Sequence, residues 1–212
     1  MNTPDPLLQP ARSLYKDDGP NQWPHIQRVL NRAKEIASSR GKPLSDVERA
    51  SIYLHDAAKA NKTDTELRHG LAAAPYVDRV YGSILTPEQI QSIKDAIAAH
   101  DLKKKPPTPE GRLLKAADSN PPDLGWFLRK VYAKRINKGM TPEQAYQDIL
   151  DSKKYLLGSI KYNAKGAKWG GAKEDPKRYR ENLKQFKRFD IDQIRSTVEQ
   201  YLKEHPDSSQ FE

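Results

Sequence analysis

Apolar residues recur along the chain at spacings of three and four, and helix-start signals punctuate the segments that carry them. Ile26, Val29, Leu30, Ala33, Ile36 and Ala37 follow Pro24, which suits a first turn, and Gly41 stands just past their end. That pattern predicts an amphipathic helix. Ser45 with Glu48 reads as a capping box opening a second helix through Ile52, Leu54 and Ala58. Thr86 and Thr141 open two more, each with proline at the first helical position and glutamine three residues on. Thr108, Pro109 and Glu110 start a helix to about Ser119, and Asp190 caps a last one through Ile194, Val198 and Leu202. No alternating run of β-branched residues is long enough for a strand, so an all-α chain is expected.

Between these segments, Pro121-Pro122 is a firm break, and the glycine-rich stretch from Lys161 to Asp175 reads as a loop whose glycines would allow a lid to move. The first 20 residues read as a flexible N-terminal arm and the last seven as a frayed tail. The expected organisation is an arm at 1–20, a helical domain at 21–135, and a helical extension at 136–212 packed on that domain.

Composition narrows the classes. Only 36% of the 212 residues are hydrophobic, and the mean hydropathy of -0.90 implies a modest core under a charged surface. The chain has no cysteine, which rules out disulfides, a thiolate nucleophile and a thiolate zinc site. No apolar run is long enough for a secretory leader or a membrane span, so a cytoplasmic protein without a membrane partner is expected.

The charge of +9 is unevenly placed. Residues 1–100 carry 13 basic and 12 acidic side chains, whereas 101–212 carry 24 and 16. Within 153–188, 12 basic residues face only Glu174, Asp175 and Glu181. Interleaved aromatics (Tyr155, Tyr162, Trp169, Tyr179, Phe186, Phe189) leave two readings open for the 153–189 segment. Either it binds polyanions, with lysines on phosphates and rings stacked on bases, or the rings anchor a core and the lysines are its wet face.

Chemistry enters with the histidines. Four of the five fall in one order: His25, then His55 followed directly by Asp56, then His69, then His100, with Asp118 closing the series. Neutral imidazoles plus carboxylates are the ligand set of a hydrolytic divalent-metal site. His55-Asp56, His100 and Asp118 each follow an apolar segment, and a buried charge there needs a partner. Neighbours on a helix point about 100° apart. His55 and Asp56 can therefore share one ion only in a groove between helices, with His25, His100 and Asp118 arriving from others. Lys59, one turn beyond this pair, is positioned to hold a substrate phosphate, and by the same geometry Arg28 and Lys115 are further candidates. Asp101 reads as a polar residue ending its helix.

The ordered set His25-Ile26-Gln27-Arg28-Val29, Leu54-His55-Asp56-Ala57-Ala58-Lys59, His69-Gly70, Ala96 to His100, and Leu113 to Asp118 resembles the HD superfamily of metal-dependent phosphohydrolases. The resemblance spans residues 21 to about 120. It implies an HD-domain helical bundle followed by the basic C-terminal extension, and hydrolysis of phosphate esters or anhydrides. It implies that His25, His55, Asp56 and Asp118 bind a first metal. His69 and His100 look like the extra pair of two-metal members, where Asp56 would bridge the ions, and the wording is similar to bacterial diadenosine-tetraphosphate hydrolases. His69 follows Asp56 more closely than in that branch.

The expectation is thus a phosphohydrolase of nucleotides or other phosphorylated small molecules, using one or two ions of Mn, Fe, Ni, Co or Zn, with Asp56 and Lys59 as catalytic residues. The alternative is a nucleic-acid-binding module, or a nuclease or phosphodiesterase, built on an HD-like helical core.

Overall fold

The protein is described here from a computed structural model, covering residues 5–17, 22–61, 68–119, 123–172 and 175–205. Among the described residues it is all-α, with no strand. Its helices are α1 (Leu8–Arg12), α2 (Trp23–Ser38), α3 (Asp46–Leu54), α4 (Ala57–Ala60), α5 (His69–Tyr81) and α6 (Pro87–His100). They continue with α7 (Pro109–Asp118), α8 (Leu124–Ile136), α9 (Pro142–Asp151), α10 (Lys153–Gly170), α11 (Asp175–Arg188) and α12 (Ile191–Glu204). None of the described helices is long and apolar enough to cross a membrane.

The start signals work as expected. Ser45, Thr86, Thr141 and Asp190 each accept a hydrogen bond from the backbone N–H three residues on and close a reciprocal capping box. Such a cap contributes about 1 kcal/mol, so the entry points of α3, α6, α9 and α12 are locally encoded.

The chain divides into two compact units, Met1–Asp118 with Trp169–Ala172, and Ser119–Lys168 with Lys173–Glu212. The division after Asp118 lies ahead of the expected boundary at 135. The apolar face of α8 (Phe127, Leu128, Val131) packs on α9 and α12, and this assigns α8 to the second unit.

In the first unit α6 is the central element, packed against α3, α5 and α7, with α2 lying on α3 and α7. Ile93, Ala96 and Ile97 of α6, Ile52 and Leu54 of α3, Ala73 and Val77 of α5, and Leu113 and Leu114 of α7 are all buried on these packed helices. Burying each leucine, isoleucine or valine of this set stabilises by about 1.5–3 kcal/mol, which holds the four helix ends carrying the chemistry in register.

Residues 5–17 do not form a free arm. Leu7, Ala11 and Tyr15 are buried. Tyr15 donates to the Tyr53 carbonyl at 2.6 Å, Tyr53 donates to Asp5 Oδ2 at 2.8 Å, and Tyr81 donates to the Leu7 carbonyl at 2.9 Å. Three spaced apolar side chains and these phenol bonds outweigh the entropy of the strap. The rest of the expected arm, the Pro121-Pro122 break and the last seven residues lie outside the described residues.

In the second unit α8, α9 and α12 share a core of Phe127, Leu128, Ala145, Tyr146, Ile149, Ile194 and Val198. The expected loop from Lys161 to Asp175 is mostly helix, since α10 runs to Gly170. Its buried positions, Leu156, Ile160, Asn163 and Ala167, step by four, three and four, a helical stripe disguised by an asparagine and an alanine.

Candidate metal centre

The second expected helix breaks where the chemistry sits. The helix α3 stops at Leu54, His55 is its C-cap, and Asp56 leaves helical geometry at φ −109° and ψ 13° before α4 begins. This departure from a continuous helix through Ala58 lets the two adjacent side chains serve one locus.

The last carbonyls of a helix have no intrahelical partner. His55, at the end of α3, puts Nδ1 at 2.8 Å from the Ile52 carbonyl. His100, the last residue of α6, puts Nδ1 at 2.6 Å from the Ile97 carbonyl. In each case Nδ1–H donates to the backbone, which fixes the tautomer and leaves the Nε2 lone pair facing the site. Both rings are buried.

His69 joins them through Gly70. A Cβ at Gly70 would lie 2.3 Å from the Ile97 carbonyl oxygen, so only glycine lets the first turn of α5 press on the end of α6. His69 Nε2 then stands 2.9 Å from His100 Nε2 and 3.6 Å from Asp56 Oδ1. The geometry thus brings His69 into the cluster despite its short spacing from Asp56.

On the other side, His25 Nε2 lies 3.1 Å from His55 Nε2, 3.3 Å from Asp56 Oδ2 and 3.3 Å from Asp118 Oδ1. Asp118 ends α7, and its Oδ2 is 4.0 Å from His100 Nε2. The buried Asp56 carboxylate therefore turns Oδ2 toward the His25–His55 pair and Oδ1 toward His69. Neither of its oxygens receives a well-directed hydrogen bond, although the Lys59 ammonium pairs with Oδ1 by charge at 2.9 Å.

Electrostatics agree with a ligand set. Burial would raise the Asp56 and Asp118 carboxyls, but the imidazoles beside both, joined at Asp56 by Lys59, outweigh it and hold them well below the usual range. Burial pushes His100 down to about 4, helped by His55 and His69. Burial, with Lys59 beside it, also lowers His69. Burial opposes a charge on His55 as well, yet Asp56 and Asp118 prevail and its pKa is raised.

A buried carboxylate whose oxygens face several imidazole nitrogens and receive no well-directed hydrogen bond fits a divalent cation. Two triads have donor atoms close enough to share an ion: His25, His55 and Asp118, and His55, Asp56 and His100.

Two expected phosphate binders have hydrogen-bond partners within the protein. Lys115 is buried and donates from Nζ to the carbonyls of His100 and Leu102 at 2.8 and 2.5 Å, capping the end of α6. Arg28 Nη2 lies 2.7 Å from His25 Nδ1, so it acts on the imidazole. With that bond made, His25 Nδ1 is an acceptor and its Nε2 faces Asp56 and Asp118.

Asp101 is a site neighbour that sequence reading passed over. Its Oδ2 accepts from the Gly70 N–H at 3.3 Å and lies 3.5 Å from His69 Nδ1, while its Oδ1 pairs with Arg68. It therefore aims His69 Nε2 inward. Its only signal was adjacency to His100.

An all-helical unit whose helix ends converge on histidines and aspartates defines the class of protein. Residues 23–120, a little under half of the chain, match the family model described as "HD domain", and this part of the chain is similar to that family. A solved structure, a predicted HD superfamily hydrolase from an uncultured Thermotogales bacterium, is similar at 22% identity over 72% of this chain and 90% of that chain, with a TM-score of 0.46. No curated protein matches the chain.

Proposed function

We propose that the protein is a metal-dependent phosphohydrolase that cleaves a nucleotide or related phosphate ester or anhydride. The observation that carries this reading is the Asp56 carboxylate, buried without a well-directed hydrogen bond and turned by one oxygen toward His25 and His55 and by the other toward His69. The HD-domain match over 23–120 supports it.

In this reading His25, His55, Asp56 and Asp118 would hold a first ion, and His69 and His100 would serve a second. A divalent ion there supplies Lewis acidity, lowering the pKa of water toward 7 and neutralising phosphate oxygens. The chain's own residues do the rest. Asp56 stays ionised at neutral pH and can orient an attacking water by accepting a hydrogen bond from it. Lys59, part-exposed with Nζ beside Asp56 Oδ1, holds a non-bridging phosphate oxygen at the rim. Asp101 keeps His69 in its rotamer, and Lys115 keeps the His100 end of α6 in place. With nitrogen and oxygen donors only, Mn, Fe, Ni, Co and Zn all suit the site.

The test is a panel of mono-, di-, tri-, cyclic and dinucleotides with each added divalent ion, run beside metal analysis of the purified protein. About one or two equivalents of metal, and turnover lost in Asp56→Ala together with the metal, is the expected outcome. Undiminished turnover in Asp56→Ala would remove the assignment.

A further inference from the structure

The basic excess of the C-terminal region resolves into two helix faces. On α10, Lys154, Lys161, Lys165 and Lys168 are exposed and step by seven, four and three residues, which sets them on one stripe. That stripe is opposite the buried Leu156, Ile160 and Ala167. On α11, Lys177, Arg180, Lys184, Lys187 and Arg188 are exposed and follow the same three-and-four spacing. They lie opposite the buried Tyr179 and Phe186. Both helices line one small cavity with α8, through Ile160 and Asn163 of α10 and Tyr179 and Asn182 of α11. Their inward sides are thus committed to the second unit, and their outward sides are rows of cations.

We infer that these outward faces of α10 and α11 form a docking surface for the phosphodiester backbone of a nucleic acid. Complementarity of charge is the first argument: 153–188 carries 12 basic residues against three acidic ones, and one of the three, Asp175, is buried. Spacing is the second. At 1.5 Å rise per residue, steps of three and four place cations ~5 Å apart, and the seven-residue step on α10 ~10 Å, so each stripe lays several cations along the length of a strand that carries one charge per ~3.4 Å. The third argument concerns the rings. Tyr179, Phe186 and Phe189 are core residues, so the face offers charge with few exposed rings, and binding is to the backbone, indifferent to sequence. The same burial argues against a membrane surface as the occupant. The apolar sides of both helices are spent in the core, and Tyr155 is the large hydrophobic exposed in this unit among the described residues. Surface helices that bind bilayers instead insert an apolar face. None of these cations belongs to the metal cluster, so the surface stands or falls apart from the hydrolase reading.

The experiment is fluorescence anisotropy of the full chain with a labelled DNA duplex, a single-stranded DNA and a single-stranded RNA, each over a range of salt. Sedimentation with phosphatidylserine–phosphatidylcholine vesicles runs alongside. Three variants are compared: Lys161→Glu/Lys165→Glu/Lys168→Glu, its glutamine counterpart, and an equal-charge control, Lys103→Glu/Lys104→Glu/Lys105→Glu, on an exposed run outside these helices. The expected result is binding that weakens steeply with salt. It should fall at least tenfold in the α10 glutamate variant, to a smaller degree in the glutamine variant, and little in the control. The slope of log affinity against log salt should flatten by about 2–3 on removing three phosphate contacts. Equal losses in the control would reduce the effect to net charge and overturn the inference. So would tighter binding to vesicles than to any nucleic acid, or no binding at low salt. Preference among the three nucleic acids identifies the form that fits.

Discussion

Replacing Gly70 with alanine probes how the fold builds its site. The added Cβ would fall 2.3 Å from the Ile97 carbonyl oxygen and 3.2 Å from its carbon. Both are backbone atoms, so no side chain can swing aside, and α5 must retreat from α6 by about 1 Å to reach ordinary contact. Overpacking of this kind costs about 1–3 kcal/mol, offset by up to about 1 kcal/mol from alanine's better helix propensity. A net loss of about 1–2 kcal/mol is expected in urea denaturation. The retreat carries His69 with it and opens its 2.9 Å approach to His100. Calorimetric titration with Mn²⁺ should then show one equivalent weakened about 10–100-fold, the range for disturbed ligand support. The equivalent on the side of His25, His55 and Asp118 should be little changed. An alanine variant as stable as the parent, with both equivalents intact, would refute the claim that glycine sets this approach.

Asp101→Asn keeps size while removing the charge that faces His69 Nδ1; it should weaken the same equivalent about 10-fold by titration and leave the unfolding midpoint nearly unmoved. Thr86→Ala removes a capping box from the helix that ends in His100 and should cost about 1 kcal/mol by denaturation. Four of the ten tyrosines, Tyr15, Tyr53, Tyr81 and Tyr146, have phenol pKa values raised chiefly by burial. The folded chain keeps these protons where the unfolded chain releases them, near pH 10. Stability should therefore be flat with respect to these groups below pH 10 and fall as pH rises above it. Absorbance titration at alkaline pH should show these four ionising only as the protein unfolds.

What could be read from the sequence follows from the range of the interactions involved. The capping boxes at Ser45, Thr86, Thr141 and Asp190 are made by residues three apart, so local text specifies them. The order of His25, His55-Asp56, His69, His100 and Asp118 was visible because a charged or imidazole group ending an apolar segment has few alternatives to a shared partner. What stayed hidden depends on distant contacts. The break at Asp56 has no proline or glycine to announce it. Lys115 read as a candidate phosphate binder one turn from Asp118, but the carbonyls it donates to lie 13 and 15 residues back. Asp101 acquires its role only when Gly70 arrives from another helix. The Leu156–Ala167 stripe was masked by its small and polar members, and the strap at Leu7 and Tyr15 is held by Tyr53 and Tyr81, far along the chain.

The central claim is that His25, His55, Asp56, His69, His100 and Asp118 enclose divalent metal. The most direct measurement is a crystal structure grown with Mn²⁺, with anomalous differences collected at the manganese edge. The expected result is one or two peaks against Asp56, each within coordinating distance of the imidazole Nε2 atoms on its side. A map with no peak there, with His25 or Asp118 turned away from the His55–Asp56 pair, would contradict it.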